Sequence, residues 1–129
     1  MHATEYLRQA EVLLDANRYS VYRVSRQPEE KVLAFLEAPG DITAIALEGT
    51  LSPEVALEEA PGWRLLSFRL QLPFTLTGFL AVVSQSLAAA RVPIFALSGY
   101  DSDHLLIPEQ HLDQAIRALT GLGCRVVRE

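Results

Sequence analysis

From Trp63 onward, the spacing of apolar residues changes repeatedly between the period of a strand and the period of a helix. In residues 63–72, apolar residues take every second position, which is typical of a strand with one buried face. They are Leu66, Phe68, Leu70 and Leu72, alternating with Ser67, Arg69 and Gln71. In residues 76–90 the apolar positions follow helical spacing instead: Leu76, Phe79, Leu80, Val83, Leu87 and Ala90. A strand followed by an amphipathic helix favours folds in which helices pack on a sheet.

The remainder of the second half continues the same alternation. Ile94–Ser98 and His104–Ile107 are predicted to be the two arms of a hairpin. Helical spacing then returns at Leu112, Ala115, Ile116, Leu119 and Leu122, and Gly121 or Gly123 is expected to end that helix. Cys124–Arg128 is predicted to be a last strand. The predicted order is therefore strand, helix, strand, strand, helix, strand.

The first half gives a related but shorter pattern. Thr4 is a plausible N-cap of an amphipathic helix that ends near Asn17, with one side formed by Leu7, Ala10, Leu13 and Leu14. Tyr19–Ser25 is rich in aromatic and β-branched residues and is predicted to be a strand. Residues 32–37 and 42–48 flank the sequence Ala-Pro-Gly-Asp, which favours a hairpin. Ser52, followed by proline and glutamate, is predicted to start a short helix that Pro61-Gly62 stops.

These patterns predict an α+β fold made of two similar units, with helices on one face of antiparallel sheets. The first unit, residues 1–61, is interpreted as degenerate because the gap at residues 26–30 is too short for its first helix. The second unit is residues 62–129. The predicted central core comprises Leu66, Phe68, Leu80, Val83, Ile94, Leu106, Ile116 and Leu119.

Composition excludes several classes of protein. The chain has 129 residues, half of them hydrophobic, which suits one globular protein with a substantial core. A net charge of −5 argues against nucleic-acid binding, which needs a basic face. The single cysteine, Cys124, excludes an internal disulfide and a cysteine-based zinc site. Since no secretory signal pattern and no membrane-length apolar stretch is found, we expect a soluble, cytoplasmic protein without membrane association.

Residues 98–108, SGYDSDHLLIP, place two carboxylates close together near a predicted hairpin tip. Asp101 is most simply a turn residue that bonds its own backbone. Asp103 stands where the strand resumes, so a turn role accounts for it less readily, and a role in binding a cation or an amine stays open. The segment lacks the glycine and distal glutamate of a calcium loop. His104 and His111 have no third partner for a metal, and Ser98, Asp101 and His104 cannot converge as a triad from one hairpin. We therefore expect no enzyme activity, no metal and no cofactor.

The predicted βαββαβ order, Gly62-Trp63 and the segment from Leu72 to Leu119 resemble the ACT domain. More narrowly, they resemble the tandem-ACT group that includes small bacterial proteins and a cytosolic arginine sensor. This resemblance is specific from Gly62 to Gly123 and rests on element order alone before that. It implies a ferredoxin-like fold that binds amino acids or other small metabolites between paired domains and regulates without doing chemistry.

The same resemblance implies a ligand site on two segments. The first, entering a helix, comprises Thr75, Leu76, Thr77, Gly78 and Phe79, and the second, on the hairpin, comprises Ser98, Tyr100, Asp101 and Asp103. Backbone N–H groups near Gly78 would hold a ligand carboxylate, and Asp103 would accept from its cationic group. Capping by Thr75 and Thr77, packing by Gly78 and an interface role for Tyr100 are the alternatives. Gly99 and Ser102 depart from the family pattern, which puts arginine as the ligand in doubt.

Two alternative functions are therefore predicted. The first is an amino-acid-binding regulatory module acting on an unidentified protein. The second is an interaction module that uses the ACT interface only to pair subunits. In both cases unpaired sheet edges favour a homodimer.

Overall fold

A computed structural model describes residues 10–69 and 79–129 of the chain. By proximity of Cα atoms the chain divides into two compact units. The larger unit is formed by Met1–Ala16 together with Arg64–Glu129, and the smaller unit is Asn17–Trp63. The predicted division into ACT-like units at residues 1–61 and 62–129 stays a prediction.

The described residues contain seven strands, two α-helices and one short 3₁₀ helix. The strands are β1 (Glu11–Val24), β2 (Ala34–Ala38), β3 (Asp41–Leu47), β4 (Ala56–Phe68), β5 (Phe95–Ser98), β6 (Asp103–Pro108) and β7 (Arg125–Arg128). The helices are α1 (Phe79–Ala89), the 3₁₀ helix Glu109–His111 and α2 (Leu112–Gly121). The order β4, α1, β5, β6, α2, β7 confirms the order predicted for the second half. None of the helices in the described ranges is long and apolar enough to cross a membrane.

In the larger unit, the first part of β1 is bonded to both β7 and β4, β4 is bonded to β6, and β6 to β5. The β5–β6 pair is antiparallel, as predicted. The β1–β7 pair is parallel, from Glu11 opposite Arg125 to Leu14 opposite Arg128, which is an exception to the predicted antiparallel sheets. At the end of this arrangement, the Glu11 carboxylate accepts from the guanidinium groups of Arg69 and Arg125. These bonds, that to Arg125 foremost, lower the pKa of Glu11.

The core of the larger unit lies between its strands and its two helices. Helix α2 contributes Leu112, Ala115 and Leu119 at helical spacing. Ala10, directly before β1, also contributes, and the strands and α1 contribute Val12, Leu14, Leu66, Phe68, Val83, Leu87, Leu105 and Ile107. Cys124 is buried in the same cluster, and desolvation raises the pKa of its thiol to about 11.

The smaller unit consists of β2, β3 and the adjoining parts of β1 and β4, and residues 17–63 contain no helix. The β2–β3 hairpin is confirmed, with Ala38 opposite Asp41 and a tight turn at Gly40, which has a positive φ of 75°. The core of this unit comprises Tyr22, Val24, Ala44, Ala46, Leu51 and Val55.

The predicted N-terminal helix is wrong from Glu11 onward, because β1 begins there. Thr4 and Leu7 lie outside the described residues. In β1 the buried residues Val12 and Leu14 alternate with half-buried ones, which is the period of a strand. The predicted helix end, Asn17, lies inside the same strand. The helical interpretation left out Val12, and the parallel partner β7 lies more than a hundred residues further along the chain.

The short helix predicted after Ser52 is also wrong. The Ser52 carbonyl accepts from Val55 N and Ala56 N at 3.0 and 2.9 Å, which closes a single turn, and the predicted hydroxyl cap is not among the hydrogen bonds of the described residues. The chain makes only that turn, and β4 begins at Ala56 and runs through Pro61-Gly62. Gly62 has a φ of 87°, and its N–H donates to Glu48 Oε2 at 2.7 Å, so the bend is accommodated within the strand.

Most of the predicted core is confirmed. Leu66, Phe68, Val83, Leu106 and Leu119 are buried. Ile94 and Ile116 are partly buried against the core of the larger unit. The prediction that Leu80 belongs to the core is wrong, since 37% of this residue is exposed. It shares the apolar stripe of α1 with Val83 and Leu87, but it lies in the first turn of the helix.

Candidate functional site

The β5–β6 hairpin carries the described part of the predicted ligand site. Its strands are in register with Phe95 opposite Leu106 and Ser98 opposite Asp103. The connecting turn is closed by Gly99 N, which donates to the Ser102 carbonyl at 2.7 Å. This register places the carboxylate of Asp103 beside the hydroxyl of Ser98 where the two strands meet the turn.

Asp103 is fixed by its neighbour across the hairpin. Ser98 Oγ donates to Asp103 Oδ1 at 2.7 Å, so the carboxylate has a defined orientation. Its second oxygen accepts no hydrogen bond from the described residues, and the side chain is half-buried. A carboxylate held on one oxygen and available on the other can accept from a cationic ligand group.

Asp101 and Tyr100 differ from Asp103 in their surroundings. Tyr100 is 82% exposed at the tip of the hairpin, and Asp101 is exposed beside it. Among the described residues, no hydrogen bond holds the Asp101 carboxylate. The two aspartates therefore differ in their surroundings. The carboxylate of Asp103 is oriented by a hydrogen bond, and the carboxylate of Asp101 is exposed to solvent.

Behind the turn, three polar side chains form a hydrogen-bonded chain that the sequence did not predict. Ser67 Oγ lies 2.7 Å from His104 Nδ1, and Ser102 Oγ lies 2.8 Å from His104 Nε2. His104 is half-buried, and desolvation lowers its pKa, while the negative charge of Asp103 acts in the opposite direction. Both ring nitrogens of His104 are therefore occupied by hydroxyl groups.

Gly99 makes room for this chain. An added Cβ at Gly99 would lie 2.7 Å from Ser102 Oγ, closer than side chains approach without movement. The φ angle of Gly99 is not positive, so its backbone conformation does not require glycine. Glycine is needed at this position because a side chain would collide with Ser102. Gly99 and Ser102, the two departures from the family pattern, therefore belong together.

We expect Gly99→Ala to destabilise the protein by about 1 kcal/mol, because the new methyl group displaces the Ser102 hydroxyl from His104. Ser102→Ala should cost a similar amount. In the Ser102→Ala background the Cβ of residue 102 lies 4.0 Å from the added methyl, so Gly99→Ala should then cost only a few tenths. Urea unfolding of the two single variants and the double variant measures this coupling. Additive losses would contradict the steric link.

Of the first predicted ligand segment, Thr75–Gly78 lies outside the described residues, and Phe79 is the first residue of α1. Among residues 10–69 and 79–129, no group of three or more histidine, cysteine, aspartate or glutamate side chains could hold a metal ion.

The smaller unit has an open groove of about 690 Å³ beside the β2–β3 turn. Its apolar lining includes Val24, Ile42 and Leu57, and its charged lining includes Arg23 and Glu37. The Arg23 guanidinium is already paired with Glu58 at 3.1 Å. This groove was not predicted, and its lining does not include the hairpin residues of the predicted site.

Comparison with known proteins gives a family match over part of the chain. Residues 58–121 match the ACT domain family. This stretch contains the whole β5–β6 hairpin, the Ser67–His104–Ser102 chain and Asp103. The ACT domain match indicates a ligand-binding regulatory module.

Solved structures agree with this fold over most of the chain. A protein from Agrobacterium tumefaciens is 21% identical and has a TM-score of 0.81, with 93% of each chain covered. A protein of unknown function from Vibrio cholerae is 18% identical with a TM-score of 0.74, covering 93% of this chain and 94% of that one. The regulatory subunit of aspartate kinase from Thermus thermophilus is 14% identical with a TM-score of 0.65, covering 86% and 95%. The fold is therefore α+β, of the ACT or ferredoxin-like type.

Proposed function

We propose that this protein is a regulatory module that binds an amino acid at the β5–β6 hairpin and catalyses no reaction. The observation that carries the proposal is the orientation of Asp103, whose Oδ1 is held by Ser98 Oγ at 2.7 Å while its other oxygen accepts nothing from the described residues. This carboxylate lies inside the stretch that matches the ACT domain. The likeness to a regulatory subunit of aspartate kinase supports a regulatory role.

An amino acid is suited to such a site because it carries an ammonium group and a carboxylate at a fixed spacing. Asp103 accepts from the ammonium group or from a cationic side chain. The ligand carboxylate is assigned to the backbone N–H groups near Thr77 and Gly78, which remains a prediction from the family resemblance. The same holds for contributions from Thr75, Leu76, Phe79 and Tyr100. Asp101 contributes negative potential from the exposed tip.

The wider setting is also part of this proposal. The predicted units, residues 1–61 and 62–129, are tandem ACT-like units of which the first is degenerate, and the chain is a relative of the arginine-sensing group. The protein acts in the cytoplasm as a homodimer and transmits ligand binding to a partner protein. The buried thiol of Cys124 is compatible with a reducing compartment.

We expect at least one of the twenty amino acids to raise the melting temperature of the protein. A ligand at about a hundred times its dissociation constant stabilises the folded state by roughly 2.7 kcal/mol. For a protein of this size, that corresponds to a shift of about 3–6 °C. A thermal-shift screen with each amino acid measures this, with nucleotides as comparison compounds.

A screen in which no amino acid shifts the melting temperature would contradict the proposal. The interaction module would then be favoured, and the 82% exposure of Tyr100 at the hairpin tip is the observation that supports it. Aromatic side chains of this kind are enriched in protein interfaces.

A further inference from the structure

The hairpin turn holds a serine hydroxyl against an imidazole that a second serine orients. Ser102 Oγ lies 2.8 Å from His104 Nε2, and Ser67 Oγ lies 2.7 Å from His104 Nδ1. A nucleophile within hydrogen-bond reach of a base, with the base oriented by a third group, is the arrangement that activates a hydroxyl for attack on an electrophile. The hairpin alone could not supply such a set, and here the orienting residue, Ser67, lies on β4.

The neutral imidazole activates one of the two hydroxyl groups at a time. Its single N–H donates to one serine, while its other nitrogen accepts from the other serine. Ser67 lies within β4, which is bonded to a strand on each side, whereas Ser102 lies in the turn next to the exposed Asp101. When Nδ1–H donates to Ser67, Nε2 accepts the proton of Ser102. Ser102 is therefore the hydroxyl that a reagent from solvent can reach while His104 acts as its base.

Gly99 leaves space beside this hydroxyl. A Cβ at residue 99 would lie 2.7 Å from Ser102 Oγ. Beyond Gly99 and its chain neighbours, the next nearest heavy atoms of the described residues, at 3.8 and 4.0 Å, also belong to Ser102. Since a carbon under attack approaches the attacking oxygen to about 3–3.5 Å, the position left free by Gly99 is open to an electrophilic carbon that faces the hydroxyl.

The surroundings of His104 keep the ring in the neutral form that a base needs. Burial lowers the pKa of His104 below its ordinary value of 6.5, and Leu97, opposite it on β5, is uncharged. The charged residues on the adjoining parts of β4, the turn and β6 are Arg64, Arg69, Asp101 and Asp103. Both arginines lie near glutamates, at 3.6 and 3.2 Å, and the negative charge of Asp103 opposes the effect of burial without reversing it.

We propose that Ser102 is a histidine-activated nucleophile that takes up one acyl group from an activated ester. Ser102 Oγ attacks the carbonyl carbon and forms a new C–O bond while its proton passes to His104 Nε2. The bond from the carbonyl carbon to the leaving oxygen then breaks, and the leaving group departs with the proton from Nε2, so the ring is neutral again. Because the hydroxyl is consumed, each chain is modified once. This modification goes beyond the proposed function and requires no turnover.

Reaction of the full chain with p-nitrophenyl acetate tests the proposal. Peptide mapping by mass spectrometry after partial reaction should place the acetyl group on Ser102. Few other nucleophiles compete, since the chain has one lysine, Lys31, and its single thiol, Cys124, is buried with a pKa raised to about 11. An acetyl group found only on Lys31 or on the N-terminal amine would overturn the proposal.

Variants separate the base from the group that orients it. His104→Gln keeps a polar side chain but removes the base, so acetylation of Ser102 should slow by about a hundredfold or more. Ser67→Ala should slow it by a smaller factor, and Ser67→Thr, which restores a hydroxyl, should recover the rate. Ser25→Ala removes an exposed hydroxyl of the smaller unit that bonds only to backbone carbonyls among the described residues. It is the matched control and should leave the rate unchanged.

The pH dependence gives a second readout. In the native protein, acetylation of Ser102 should accelerate as the pH rises through the pKa of His104 and then level off, because only the neutral ring accepts the proton. This step should be absent from His104→Gln. A native rate in His104→Gln, or a native profile without the step, would overturn the proposal, whatever the amino-acid screen shows. If thermal melts show that His104→Gln does not fold, the native pH profile and the two Ser67 variants decide in its place.

Discussion

Leu87→Ala is expected to lower the free energy of unfolding by about 2–5 kcal/mol. Leu87 has no exposed surface and lies in α1, in the core of the larger unit with Leu66 and Leu119. Truncation removes apolar contacts and leaves a cavity that the surrounding strands and helix fill only in part. The loss would appear as a lower midpoint of urea unfolding, with little change in the slope of the transition.

Leu80→Ala on the same helix is the matched control. It removes the same atoms from a side chain that is 37% exposed, so we expect a loss of under about 1 kcal/mol. Comparable losses for the two variants would mean that the first turn of α1 packs as tightly as its centre. That result would restore Leu80 to the core, where the helical spacing alone had placed it.

The second half of the fold could be predicted because its elements are short and each has a distinct period. Strand alternation in Leu66 and Phe68 and helical spacing in α2 are local signals, and the structure confirms both. Helix α1 was also correct in kind, although periodicity could not indicate that Leu80 lies at its exposed end.

The predictions for the first half of the chain failed where pairing between distant segments outweighs the local preference for a helix. The residues around Leu13 and Leu14 fit helical spacing, but β1 is fixed by bonds to β7 at the far end of the chain. A turn forms at Ser52, but no helix follows it. Pro61-Gly62 was predicted to stop a helix, whereas both residues lie inside β4, where Gly62 N–H donates to the Glu48 carboxylate.

The site was predictable in part for the same reason. Asp103 was identified from its position after a turn, and its partner Ser98 lies on the same hairpin. Ser67 is 37 residues away from His104, and only the register of β4 against β6 brings them together. The signal that could have indicated this contact was the alternation of the predicted strand, which places Ser67 on the face opposite to Leu66 and Phe68. The link between Gly99 and Ser102 depends on a contact of 2.7 Å that no spacing rule encodes.

Asp103→Asn is expected to have the largest effect on ligand binding. The amide keeps the shape of the side chain and can still accept from Ser98 Oγ, but it removes the negative charge that faces the ligand. Removing one partner of a desolvated charge pair costs on the order of 2–5 kcal/mol. That corresponds to a loss of affinity of roughly thirtyfold to several thousandfold.

Asp101→Asn makes the same chemical change two residues away, on an exposed carboxylate that the described residues do not hold. Its charge is well solvated, so we expect a change in affinity of less than about threefold at moderate ionic strength. Any effect of Asp101→Asn should also diminish as salt is added, whereas that of Asp103→Asn should persist.

The most direct test of the account is therefore isothermal titration calorimetry of the stabilising amino acid against the native protein, Asp103→Asn and Asp101→Asn. Thermal melts of the unliganded variants establish that both fold like the native protein. We expect a loss of at least about thirtyfold for Asp103→Asn and near-native affinity for Asp101→Asn. Native affinity in Asp103→Asn, or equal losses in the two variants, would contradict it.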